Sequence, residues 1–142
     1  VLAQIEGKRI VKFDGPKASV DKITHHYTMV SELFDIEPMY VHSWHAGIHP
    51  GCSFIGDPKN DPDRWGNTVF QNPRVLHFHT CGAQPPGEIS WNIIDPTIEI
   101  DGTVFWASGK LNSKANKRLN GPLSKWSGLR QLFAQSVDAI GV

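Results

Sequence analysis

Cysteine is scarce in this chain. Cys52 and Cys81 are the two in 142 residues, too few for a disulfide scaffold; each reads first as a small buried or half-exposed thiol. Charge of either sign is not in excess: 14 Lys and Arg face 14 Asp and Glu. That balance argues against the basic footprint of a nucleic-acid or membrane-surface binder. No apolar run approaches the roughly 18 residues that span a bilayer, and Glu6, Lys8 and Arg9 break any signal-peptide pattern. The expectation is a soluble, cytoplasmic chain with neither nucleic acid nor membrane as partner. There is no Gly-x-Ser-x-Gly nucleophile elbow and no phosphate-cradling glycine loop. The chain starts at Val1 rather than Met, as a processed product or a piece of a longer protein would.

The local patterns specify an α+β chain, expected to be one domain with mostly antiparallel pairing and helices on one side. Residues 1–14 read as a β-hairpin turning at Glu6-Gly7-Lys8. Over residues 19–34, Val20, Ile23, Tyr27, Val30 and Phe34 recur at steps of three and four, an amphipathic helix with Ser19 as N-cap. His25 and His26 sit on that helix and read as exposed rather than as ligands. Residues 39–44 read as a strand, 56–73 as a polar loop, and 74–80 and 89–94 as two further strands. Asp101-Gly102, between two alternating runs, predicts a type I′ hairpin. A polar connector is expected over 109–122 and a C-terminal helix over 123–140, weakened by Gly128.

Histidine is what this sequence has in concentration. Five of its seven fall between His42 and His79. His77 and His79 are two apart in a strand, so both imidazoles point to one side, with Leu76 and Phe78 on the other. Paired imidazoles on a strand face suit zinc, iron or copper. His45 and His49 flank Gly47 at a strand end, where the backbone can turn side chains into a cleft. The candidate set is therefore His77, His79 and His45 for a metal, His45 and His49 for catalysis, and Trp44, Trp91 and His42 for substrate. A two-histidine, one-carboxylate iron site would draw its acid from Asp57, Glu88, Asp95 or Glu99. Asp95, before Pro96, reads as a turn former and Glu99 as solvated. Cys81 with His79 offers a thiolate–imidazole pair, without an evident orienting group.

Several segments occur in a familiar order: residues 7–15, then Ala46-Gly47-Ile48-His49-Pro50-Gly51, Gly66-Asn67-Thr68-Val69-Phe70, His77-Phe78-His79-Thr80-Cys81-Gly82, and residues 95–102. Over roughly residues 1–110 this order resembles the C-terminal half of the thermophilic metallo-aminopeptidase family and the related 2,5-dihydroxypyridine dioxygenases. The resemblance implies a metal-dependent enzyme and an N-terminal half supplied by more chain or by a second polypeptide. Where that superfamily carries a His-x-Asp pair, this chain has Ser90 and Asn92; the glutamate expected near residues 46–51 has no counterpart. Either the site is rebuilt from His45, His49, His77 and His79, or the metal is gone.

Three readings follow. The first is an iron(II) dioxygenase opening a small hydroxylated heteroaromatic ring. The second is a zinc hydrolase acting on peptide-like bonds. The third is a non-catalytic subunit. A homo- or hetero-oligomer is expected, since part of a larger fold leaves apolar surface to cover.

Overall fold

The computed structural model describes residues 1–115, 117–134 and 139–142. Its elements run β1 (Leu2–Glu6), β2 (Arg9–Asp14), α1 (Lys17–Phe34), β3 (Val41–Ala46), α2 (Pro62–Val69), β4 (Val75–Cys81), β5 (Glu88–Ile94), β6 (Ile98–Ile100), β7 (Thr103–Ala107), β8 (Lys110–Leu111), α3 (Lys117–Lys125) and α4 (Ser127–Ala134). The strands form three antiparallel sheets, β1-β2, β3-β4-β5 and β6-β7-β8, an α+β arrangement rich in hairpins. The chain divides into two compact units, Val1–Trp44 with Phe78–Trp91, and His45–His77 with Asn92–Val142.

In the first unit, β1 and β2 pair from Leu2↔Asp14 to Glu6↔Arg9 around Gly7, whose φ of 60° needs no Cβ to be avoided. Helix α1 starts two residues before the sequence suggests. Pro16, with φ fixed near its helical value, is the N-cap, and Ser19 lies inside the first turn without a capping bond. Most of the expected stripe faces inward: Tyr27 and Val30 are buried, with Ile23 packed beside them, whereas Phe34 at its end is exposed. They meet Ile10, Val41, Phe78, Cys81 and Ile89 to form the core. His25 and His26 are exposed.

A polar chain of bonds runs through this core. Trp91 Nε1 donates to the Tyr27 hydroxyl (2.5 Å), which lies 2.5 Å from Thr80 Oγ1. Thr80 donates onward to the Ile89 carbonyl (2.8 Å). Because the indole can only donate and the carbonyl can only accept, every hydroxyl proton in the chain has its direction fixed.

In the second unit, Phe54, Val69, Val75 and Ile140 form a smaller core, with Trp65 and Phe70 against it. The segment expected as a polar loop over 56–73 holds helix α2. Asp61 caps it by accepting from the Arg64 amide (3.3 Å), and Pro62 occupies the first position, where its missing N–H costs nothing. The hairpin β6–β7 turns at Asp101-Gly102, both at positive φ (49° and 74°), as a type I′ turn demands. Instead of one helix over 123–140 there are two, α3 and α4, separated at Trp126; α3 and β8 take up much of the expected 109–122 connector. The part of that helix expected at 135–138 lies outside the described residues.

Candidate metal centre

The alternation of β4 places His77 and His79 on one face, as expected. His45 comes from the neighbouring strand β3. One ring nitrogen from each of His45, His77 and His79 lies within 4.8 Å of the others.

Each imidazole is held differently. His77 is buried at 8% exposure, so this face is not open along its length. Phe70, the residue capping α2, stacks on the His77 ring at 4.1 Å. The His45 ring also stacks on His77, with ring centroids 4.6 Å apart and planes 14° from parallel, but is itself exposed. His79 is half-buried, and its Nδ1 lies 2.6 Å from a carboxylate oxygen of Glu88 on β5. Ser90, also on β5, donates to the same Glu88 oxygen and sits 3.4 Å from His79 Nδ1.

The three residues could hold a metal ion. Nitrogens bound at ~2.0–2.1 Å around a tetrahedral ion stand roughly 3.3 Å apart, closer than the 4.8 Å limit here. Stacked rings cannot aim their in-plane lone pairs at one point. Capture of one ion by all three would therefore require the exposed His45 ring to turn off His77. The backbone beyond His45 is pinned: a Cβ on Gly47 would overlap the Asn72 carbonyl, and the Gly47 amide bonds the Val75 carbonyl (3.3 Å).

The other expected site residues lie elsewhere. His49 is outside the triad; it is exposed, and its Nδ1 accepts from the Gly51 amide (3.2 Å), a turn-stabilising role. His42 donates from Nε2 to the Cys81 carbonyl (2.6 Å) and meets Tyr40 edge-on. It lines a shallow cleft of 460 Å³ with Ile36, Glu37, Tyr40, Cys81 and Gln84. Trp44 is half exposed and stacks on Phe78 at 4.3 Å. Trp91 stacks on Phe78 at 6.0 Å and gives its N–H to Tyr27. Phe78 occupies the β4 position between the two histidines, hence the opposite face. Trp91 is thereby tied into the core rather than offered to a substrate.

The carboxylates separate in the same way. Asp95 adopts φ 50° and receives two bonds from Arg74, at 2.6 and 2.8 Å, a structural ion pair. Glu99 and Asp57 are exposed, and Asp57 caps its own turn through the Lys59 amide. Glu88 alone of the four acids reaches a triad histidine. Cys81 is fully buried, and burial pushes its thiol pKa up. That disfavours the thiolate a Cys81–His79 nucleophile would require.

The three histidines expected from the sequence as a metal set, His45, His77 and His79, are the ones that lie together. Sequence reasoning missed the hold of Glu88 on His79, which needs the strand partners to be known. A usable signal was the Glu88-x-Ser90 spacing, which puts an acceptor and a hydroxyl on one face of β5. Compared with protein-family models, curated proteins and solved structures, the chain matches none.

Proposed function

We propose that this chain is a metal-dependent enzyme domain whose centre is held by His45, His77 and His79. The convergence of three imidazole nitrogens within 4.8 Å carries the proposal. The donor set is neutral, so a bound divalent ion would keep its full charge and have coordination positions left for substrate. Iron(II) in such a set would supply oxygen activation, with O2 as oxidant and both its atoms delivered to the product. Ring opening of a small hydroxylated heteroaromatic compound suits that chemistry, since deprotonated ring oxygens are anionic ligands. The resemblance noted above points to the same substrate class.

Zinc-dependent hydrolysis is the second reading. It is supported by the same three-nitrogen set, which also suits zinc with one open position. It needs an acid positioned as a base, and Glu88 is occupied in holding His79.

The test is elemental analysis of protein purified without chelator, beside a His77→Ala/His79→Ala variant. Oxygen uptake with dihydroxypyridines and hydrolysis of aminoacyl anilides are then measured on the reconstituted parent. Near-stoichiometric metal lost in the variant, with oxygen uptake under iron(II), is the expected outcome. Hydrolysis with zinc selects the second reading. No bound metal after anaerobic reconstitution with either ion overturns both and leaves a non-catalytic subunit.

A further inference from the structure

We infer that Glu88, supported by Ser90, is the positioning residue of the centre: it fixes the tautomer and aim of His79 and so sets metal affinity. The inference rests on the metal-centre reading, and it concerns an interaction contained wholly in the β4–β5 pair.

A neutral imidazole has one N–H and one lone pair. Only the nitrogen with the lone pair can bind a cation. The Glu88 carboxylate, 2.6 Å from His79 Nδ1, is an acceptor, so the proton belongs on Nδ1 and the lone pair on Nε2. Nε2 is thus the nitrogen of His79 that would be left to bind an ion. Glu88 in turn is oriented, because the Ser90 hydroxyl donates to the oxygen that faces His79. The carboxylate is only 13% exposed, so water screens the contact weakly and the negative charge makes the imidazole a stronger donor to a cation. Partners of this kind, acting through a ligand on the metal, contribute 10–100-fold in affinity.

The geometry also explains why the set holds no carboxylate. The acid that a two-histidine, one-carboxylate site would use is present but sits behind a histidine. The centre gains that negative charge indirectly while keeping its remaining positions free. His77, for its part, stacks on Phe70, which restrains the plane of its ring.

Two measurements test this on the full chain. The first is zinc affinity, by competition with a chromophoric chelator, for the parent and for Glu88→Gln, Glu88→Ala and Ser90→Ala. The second is the histidine 15N spectrum of the metal-free proteins at mildly alkaline pH, which reports the tautomer of His79. Glu88→Gln should bind zinc at least about tenfold more weakly, with the unfolding midpoint of the metal-free protein unchanged. Ser90→Ala should lose a few-fold, and Glu88→Ala should shift His79 from the Nδ1–H form to a tautomer mixture. Should Glu88→Ala not fold, the isosteric Glu88→Gln carries the affinity test alone. Zinc affinity within about twofold of the parent in Glu88→Gln, while the His77→Ala/His79→Ala variant binds none, overturns the inference and spares the metal centre. A parent that binds no zinc overturns the metal-centre reading and, with it, the role of Glu88.

Discussion

Replacing Tyr27 by Phe removes one oxygen from the buried relay Trp91→Tyr27→Thr80→Ile89. The ring stays, and with it the packing of α1 on the sheet. What changes is the bonding at both ends of the lost hydroxyl. Thr80 keeps its bond to the Ile89 carbonyl and loses only an incoming donor. The Trp91 N–H loses its acceptor at a part-buried position, and an unsatisfied donor there costs about 1–3 kcal/mol. Trp91 is not wholly buried, so the lower half of that range is expected, about 1–2 kcal/mol. Thr80→Val attacks the same relay from the other side, removing the acceptor of the Tyr27 proton and a donor to the Ile89 carbonyl. Because the two changes damage one network, the double variant should cost less than the sum, with a coupling of about 0.5 kcal/mol or more. Urea denaturation of the four proteins of this cycle is the assay, with equal slopes as the check that folded states are alike. A Tyr27→Phe cost below about 0.5 kcal/mol, or strict additivity, would refute the claim that the relay is a single unit.

The same hydroxyl predicts alkaline sensitivity: burial raises the Tyr27 pKa above its usual 10.0, against the opposing pull of its bonds to Thr80 and Trp91. Its contribution is therefore complete below about pH 10 and is lost as pH rises through the folded value, and Tyr27→Phe should flatten that part of a stability-versus-pH curve. Asp95 behaves oppositely: hydrogen bonds from Arg74, with a smaller contribution from its charge, hold the carboxyl below the usual 3.8. Its contribution is present above about pH 4 and lost as pH falls through the folded value; being partly exposed, the pair is worth at most about 1 kcal/mol, measurable as a smaller acid-side slope in Asp95→Asn. Gly47→Ala should destabilise by about 1–3 kcal/mol or more, since the methyl overlaps the Asn72 backbone, and urea midpoints at the parent's level would show that β3 ends elsewhere.

Much of the fold was legible because its signals are local. The type I′ turn needs two residues tolerant of positive φ, and Asp101-Gly102 names them. The inward stripe of α1 repeats at helical spacing, so Tyr27 and Val30 were identifiable as core. Helix α2 was misread because its polar, proline-bearing composition suggests a loop. Asp61-Pro62 is nonetheless a cap followed by the one interior position where proline is welcome, and that pair was the signal to weigh. The C-terminal region was read as one helix because its apolar spacing continues across Trp126, whereas α3 and α4 are separate.

The candidate metal centre divides along the same line. His77 and His79 follow from period two within one strand, a property of sequence alone. His45 was expected in the metal set, and His49, four residues on, beside it as a catalytic residue. The separation is topological: His45 is still in β3, one strand from β4, while His49 lies past Gly47 in a turn closed by its own ring. Glu88 was one acid among four until β5 was placed beside β4, after which its contact with His79 distinguishes it. The pairing of β3, β4 and β5 thus converts a diffuse enrichment of histidine into three converging nitrogens and one oriented carboxylate. Disrupting that pairing would scatter the set while leaving every ligand in the sequence.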